Sequence, residues 1–247
     1  MNTELNFKRL GFFLKRQLYL NFSSMWIAIG AILGLLLIIS ALFAYFNDNP
    51  DIVLNLRNLY LVVYMLGGYI FTSKVFDEMH APQKSYMFLT LPVSAAEKLL
   101  AAWFITSPVY VVVAGLVMVL LSFISASLAG NVEAFPYLFD ETFFNCVGVY
   151  MVTQAVFFLG ATTFRSNNFL KTVLALIVVA LLIAAYTGLL GYILFGNSGM
   201  RFEEGKANEF EKTAEFVTNT VIPFLFWFVF APFLLLVSYF KLKERQV

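Results

Sequence analysis

The fold class this chain predicts is an all-α membrane protein with six transmembrane helices, and three observations predict it. The 247 residues are 61% hydrophobic and only 13% charged, whereas soluble domains carry about 25% charged residues. Six long apolar stretches fill most of the length. The charged segments between them alternate in sign.

A hydrocarbon core of about 30 Å needs about 20 apolar residues in helical form. The stretches fall at Met25–Phe46, Leu59–Ser73, Leu99–Ala126, Phe143–Phe164, Phe169–Phe195 and Val217–Phe240. The second is the weakest, because Arg57 and Lys74 bracket it tightly. No Asp, Glu or His lies inside any of the six. The 29 phenylalanines suit lipid-facing surface and interfacial belts. The first apolar run is too long for the core of a signal peptide and lacks a small-residue cleavage site, so none is expected to be cleaved.

Orientation follows from Lys and Arg in the short loops. Lys8, Arg9, Lys15, Arg16, Lys74, Lys84, Lys98, Arg165, Lys171, Lys241, Lys243 and Arg245 fall on one side. Only Arg57, Arg201, Lys206 and Lys212 fall on the other, together with ten of the fifteen acidic residues. Both termini are therefore expected in the cytoplasm.

Ahead of the first span, Phe7, Leu10, Leu14 and Leu18 recur at helical spacing, with Lys8, Arg9, Lys15 and Arg16 largely on another face. This pattern predicts an amphipathic helix over Leu5–Leu20, lying in the membrane interface with its basic face toward anionic headgroups. The chain thus divides into a cytoplasmic N-terminus, residues 1–24, and a six-span domain, residues 25–247. That domain carries a cytoplasmic loop at 74–98 and an acidic outer loop at 196–216.

The 74–98 loop holds the clearest local signals. Pro92 can open a helix, since its missing N–H is not needed in the first turn. Ser94 and Glu97 have capping-box spacing, which gives a second helix start running on into the third span. Leu89 and Leu91 remain apolar in a segment expected to face water. Either they dock a partner or they pack back onto the protein's own spans.

The fourth span is the most polar. Asn145, Thr153 and Gln154 lie along it and mark a candidate translocation or dimer face, or else simple hydrogen bonding between helices. Gly30 and Gly34 form a GxxxG in the first span, which permits close approach of a helix from this chain or another. Ser107-Pro108 is placed to kink the third span near its cytoplasmic end.

Several chemistries are excluded. One cysteine, Cys146, and one histidine, His80, leave no zinc or haem constellation and no cofactor site. The nearest approach to a P-loop, Gly199–Ala207, has the wrong glycine spacing and ends in Ala. Intramembrane hydrolysis lacks both a Ser–His pair and paired aspartates, so no enzymatic activity is expected. The spans also lack the ionisable groups of ion-coupled transporters. Segregated charge and a net charge of +1 give no basis for nucleic-acid binding.

This layout resembles the ABC-2 type transporter permeases. The most specific piece is Tyr86-Met87-Phe88-Leu89-Thr90-Leu91-Pro92-Val93-Ser94-Ala95-Ala96-Glu97-Lys98, similar to the L-x-L-P-V/A-S-x-x-E-K segment that permeases of this family often carry in that loop. The resemblance implies the membrane-spanning subunit of an exporter in the bacterial inner membrane, paired with a second permease protomer. A separate cytoplasmic ATPase, carrying ATP and Mg, would dock on the loop. Leu89, Leu91, Pro92, Ser94, Glu97 and Lys98 would form or flank the docking element, and Leu5–Leu20 would be the connecting helix. The alternative from another class is a non-transporting scaffold or accessory subunit. A channel would need a polar stripe on several spans, and only the fourth has one.

Overall fold

The computed structural model describes residues 6–46, 52–128, 130, 140–193 and 212–245. Among these residues eight helices follow one another: α1 Phe7–Phe46, α2 Ile52–Lys74, α3 Asp77–His80, α4 Pro82–Leu89, α5 Ala95–Leu128, α6 Glu141–Thr163, α7 Asn168–Gly191 and α8 Lys212–Glu244. No strand occurs among the described residues. Glu203, Glu204 and the rest of the acidic outer loop up to Glu211 lie outside them.

Local chemistry sets the helix starts. Pro82 occupies the first turn of α4, where no N–H is required. The two candidate starts before the third span resolve in favour of Ser94. Its Oγ accepts the Glu97 N–H and Glu97 Oε2 accepts the Ser94 N–H, a closed capping box. Asp140 caps α6 through the Phe143 N–H at 3.2 Å. Between α6 and α7 the chain turns through Asn167 at φ 52°, a left-handed conformation that Asn tolerates better than most residues.

Among the described residues, four helices are long and apolar enough to cross a membrane: α5, α6, α7 and α8. These mark a multi-pass membrane protein. The first expected span falls partly on residues 25–29, whose side chains lie outside the description. In α1 the described apolar stretch is the shorter Gly30–Phe43. In α2 the uncharged run from Leu59 to Ser73 covers about 22 Å at 1.5 Å per residue, less than a hydrocarbon core. The expected N-terminal helix is also not a separate element: α1 runs without a break from Phe7 to Phe46.

Helix α2 packs on α1, α5, α6 and α7 and leaves Val62, Leu66 and Ile70 exposed along one face. Helix α6 is the other central element, contacting α2, α7 and α8 and burying Tyr150, Gln154, Phe157, Phe158 and Ala161. Conversely, Leu174–Leu190 of α7 is exposed on every face. A helix apolar all round and unburied by protein suits lipid.

Two cores fill the bundle. One, around Leu36, Tyr60, Tyr64, Met118 and Tyr150, joins α1, α2, α5 and α6. The other, around Phe13, Phe76, Phe88, Leu99, Phe158 and Leu242, gathers α1, α4, α5, α6 and the end of α8 at the basic end of the bundle.

At Ser107-Pro108, where a kink is expected, the helix changes its hydrogen-bond pattern. Ile105–Val109 forms a π-helical turn inside α5, with Pro108 within it. Tyr110 N–H reaches the carbonyls of Ile105 and Ser107 rather than that of Thr106. The Thr106 carbonyl instead accepts the Tyr150 hydroxyl at 2.7 Å, fastening α6 to the widened turn.

Gly68 shows how tightly α2 is held. A methyl group there would meet the Tyr150 ring and lie 2.8 Å from Tyr110 Cε1. Gly30 and Gly34 have no described neighbour within 4 Å of such a methyl, so their GxxxG does not seat another described helix of this chain. We therefore expect Gly68→Ala to cost about 1–3 kcal/mol by overpacking. Gly34→Ala should be neutral or slightly stabilising, by about 0.5 kcal/mol or more, through helix propensity. Thermal unfolding in detergent compares the two directly.

Candidate functional site

The capping box at the start of α5 does more than open a helix. Glu97 lies one turn ahead of the apolar stretch that begins at Leu99, and its side chain is inaccessible. Oε2 accepts the Ser94 N–H at 2.8 Å, while Oε1 accepts the Asn6 N–H at 2.7 Å and Arg9 Nη2 at 3.0 Å. Asn6 is itself the cap of α1, its Oδ1 accepting the Lys8 N–H at 2.9 Å. One carboxylate thus serves the N-termini of two helices, where backbone N–H groups and the helix dipoles both favour negative charge.

Burial raises the pKa of Glu97, but the N–H groups of Asn6 and Ser94 and the Arg9 guanidinium outweigh it. The net result is a carboxyl held below its ordinary value. The site is shallow: Arg9, which covers it, keeps a third of its side chain exposed.

Lys98 points the other way. It is fully buried, and its ammonium donates to the Phe88 carbonyl at 2.9 Å and the Leu89 carbonyl at 3.5 Å. It also lies 4.9 Å from the centre of the Phe88 ring, a cation–π contact. These carbonyls end α4, so the cation sits at the negative end of that helix. Burial, with a smaller contribution from the Arg16 charge, lowers its pKa to about 8. A third tie, Arg16 to Glu78 at 3.0 Å, holds α1 to α3. Adjacent residues of α5 therefore grip α1 and α4 separately, and α1 grips α3.

This arrangement redistributes the residues named from sequence. Arg9 and Arg16 make ion pairs within the protein, while Lys8 and Lys15 are exposed beside Phe7 and Phe12. Phe13, absent from the expected apolar face, is the residue α1 buries there, at 4% exposure. Leu89 and Leu91 are half-buried against the core at the basic end, the inward alternative for these two residues. Ser94 is half-buried as the cap, and Pro92 is exposed.

The apolar groups that do reach solvent on this loop are Tyr86 and Met87 of α4, at 76% and 64% exposure. Sequence reasoning passed over them. The available signal was helical phasing: if Phe88 turns inward, its two predecessors turn outward.

The residues picked on the fourth span do not form one surface. Thr153 Oγ1 accepts the Tyr69 hydroxyl at 2.7 Å and donates to the Val149 carbonyl. Gln154 is buried and accepts from Thr72 at 3.5 Å. Both face α2, whereas Asn145 is exposed and stands apart. His80 has partners that the sequence did not foretell: its ring nitrogens contact the Ala161 carbonyl and Arg245, each at 2.7 Å.

No group of three His, Cys, Asp or Glu able to hold a metal occurs among the described residues. The site contains no nucleophile paired with a base. Charged hydrogen bonds tie its short helices to long ones. No family model matches this chain. No curated protein matches it either.

Replacing Glu97 with Ala should destabilise the protein by about 2 kcal/mol, because buried N–H donors and Arg9 lose their acceptor. The cost is moderated by the solvent that reaches Arg9. The pH dependence has a defined sign, since a carboxyl with a depressed folded pKa contributes stability above the unfolded value of 4.5. That contribution disappears as pH falls through the lower folded value. Acid unfolding curves of Glu97→Gln should accordingly be flatter in that window than those of the parent protein.

Proposed function

We propose that this chain is the membrane-spanning permease subunit of an ATP-driven exporter of the ABC-2 type. The observation that carries this reading is the exposed apolar face of α4, built on a charged lock. Tyr86 and Met87 point away from the bundle. Phe88 and Leu89, next in the chain, are gripped by Lys98 of α5, and α5 continues from Ala95 to Leu128 through the π-helical turn at Ile105–Val109. A cytoplasmic ATPase pressing on α4 would therefore move a membrane-crossing helix directly. ATP and Mg would belong to that partner, and this chain would hold no cofactor.

In the full reading α1 and α2 supply two further spans, giving six, with both termini in the cytoplasm of a bacterial inner membrane. A second permease protomer would complete the transport path. The basic residues gathered at one end of the bundle support that orientation. Arg57 at the other end is held by Asp140 at 2.8 Å, so its charge is locally balanced. The apolar, uncharged surfaces of α7 and α8 suit a lipidic or amphipathic cargo.

One observation favours the scaffold alternative: Thr153 and Gln154 are spent on hydrogen bonds to α2 and do not line a path.

The test is co-purification of the tagged protein in mild detergent, with mass spectrometry of what accompanies it. The expected outcome is a stoichiometric P-loop ATPase, lost when Tyr86 and Met87 are both replaced by Asp while the melting temperature stays unchanged. Recovery of the parent protein alone, or with partners that are not ATPases, would replace this reading with the scaffold.

A further inference from the structure

His80 sits at the end of α3, where three elements meet. Its Nε2 lies 2.7 Å from the carbonyl oxygen of Ala161, near the end of α6. Its Nδ1 lies 2.7 Å from Arg245 Nη1, at the end of α8. A carbonyl can only accept and a guanidinium can only donate. The ring must therefore be neutral, with its proton on Nε2 and a bare lone pair on Nδ1. The second arm of Arg245, Nη2, donates to the Thr163 carbonyl at 3.1 Å. The last turn of α6 thus gives one carbonyl to His80 and another to Arg245, and the two side chains close a ring of hydrogen bonds.

We propose that His80 is a proton-gated latch, which fastens the end of α8 to α3 and the end of α6 while the imidazole is neutral and releases it when the ring takes a second proton. The chemistry is a single proton addition. A proton from solvent occupies the Nδ1 lone pair, the acceptor for Arg245 becomes a donor, and two cations then face each other at hydrogen-bond distance. The surroundings oppose that state. The charges acting on His80 are Arg245 and Arg165, from the end of α8 and the turn after α6, and both disfavour the imidazolium. On its own helix the two carboxylates are committed elsewhere: Glu78 pairs with Arg16 at 3.0 Å, and Asp77 accepts from Asn168 at 3.4 Å. Lys74 adds a further cation near Asp77.

Burial is the largest cause, and with the two arginines it lowers the His80 pKa below 6.5 despite the Ala161 hydrogen bond. A depressed histidine contributes stability that is full above its unfolded pKa and lost as pH falls through the folded value. The latch should therefore hold at pH 7.5 and open in mild acid. What it opens is specific. Tyr239 and Leu242 pack into the same core as Phe88 and Met79, so freeing Arg245 loosens the end of α8 from the segment that carries α3 and α4.

Amide hydrogen exchange of the full-length protein in detergent tests this. The readout is the peptide covering residues 239–245 at pH 7.5 and pH 5.5, with rates corrected for the chemical pH dependence of exchange. The parent protein should lose protection there by about tenfold at the lower pH, the scale of one hydrogen bond to a charged group. His80→Gln keeps one donor and one acceptor but cannot titrate, so protection should be retained at both values. Arg245→Gln removes the guanidinium and should give weak protection at both. Equal protection of the parent peptide at the two pH values would overturn the proposal. So would an undiminished pH difference in either variant.

Discussion

The Glu97 carboxylate, shared between the starts of α1 and α5, is the interaction on which the basic end of this protein depends. Two helix N-termini would ordinarily repel, since each presents unpaired N–H groups and the positive end of a dipole. A single negative charge between them turns that repulsion into attraction. The Ser94 N–H, the Asn6 N–H and Arg9 converge on it from three directions. Once α1 is fixed there, Phe13 is placed to fill the core beside Phe88, at a ring separation of 6.1 Å.

The neighbouring Lys98 extends the logic to a helix C-terminus. Its ammonium meets the last carbonyls of α4, so the opposite charge addresses the opposite pole. Adjacent residues on a helix point about 100° apart, which lets one turn of α5 hold two elements on different sides. Each grip is charge-assisted, which shortens and strengthens the hydrogen bonds of such a joint. The bare face of α4 lies at its outer edge. The far half of the bundle is built differently. Beside the Arg57–Asp140 ion pair it is tied by neutral hydrogen bonds, Tyr69 to Thr153 and Tyr150 to the Thr106 carbonyl, and Leu174–Leu190 of α7 stands clear of the protein core.

Much of this was legible beforehand where chemistry is local. The capping box at Ser94 and Glu97 and the apolar lengths of α5, α6, α7 and α8 all depend on residues close in sequence. The span count was less legible. In α2 the faces that meet α1, α5, α6 and α7 and the exposed stripe at Val62, Leu66 and Ile70 are set by residues far away in sequence, so its hydropathy alone says little about its packing. The candidate site was half legible for a similar reason. Leu89 and Leu91 were visible as apolar residues in a polar loop, but which way they turn depends on Lys98 pulling the end of α4 inward. Tyr86 and Met87 became the outward groups as a consequence.

By itself, then, the sequence determined that the chain is helical, apolar and asymmetric in charge, because composition, periodicity and capping act over a few residues. Only the tertiary structure decided what the charges do. Arg9 and Arg16 look like membrane-facing cations until α5 and α3 bring Glu97 and Glu78 beside them, from 88 and 62 residues away. His80 looks solitary until the chain returns with Arg245, 165 residues later. A charge read in sequence has only water and lipid as alternatives. Folding adds a partner, and the partner's distance along the chain leaves no local trace.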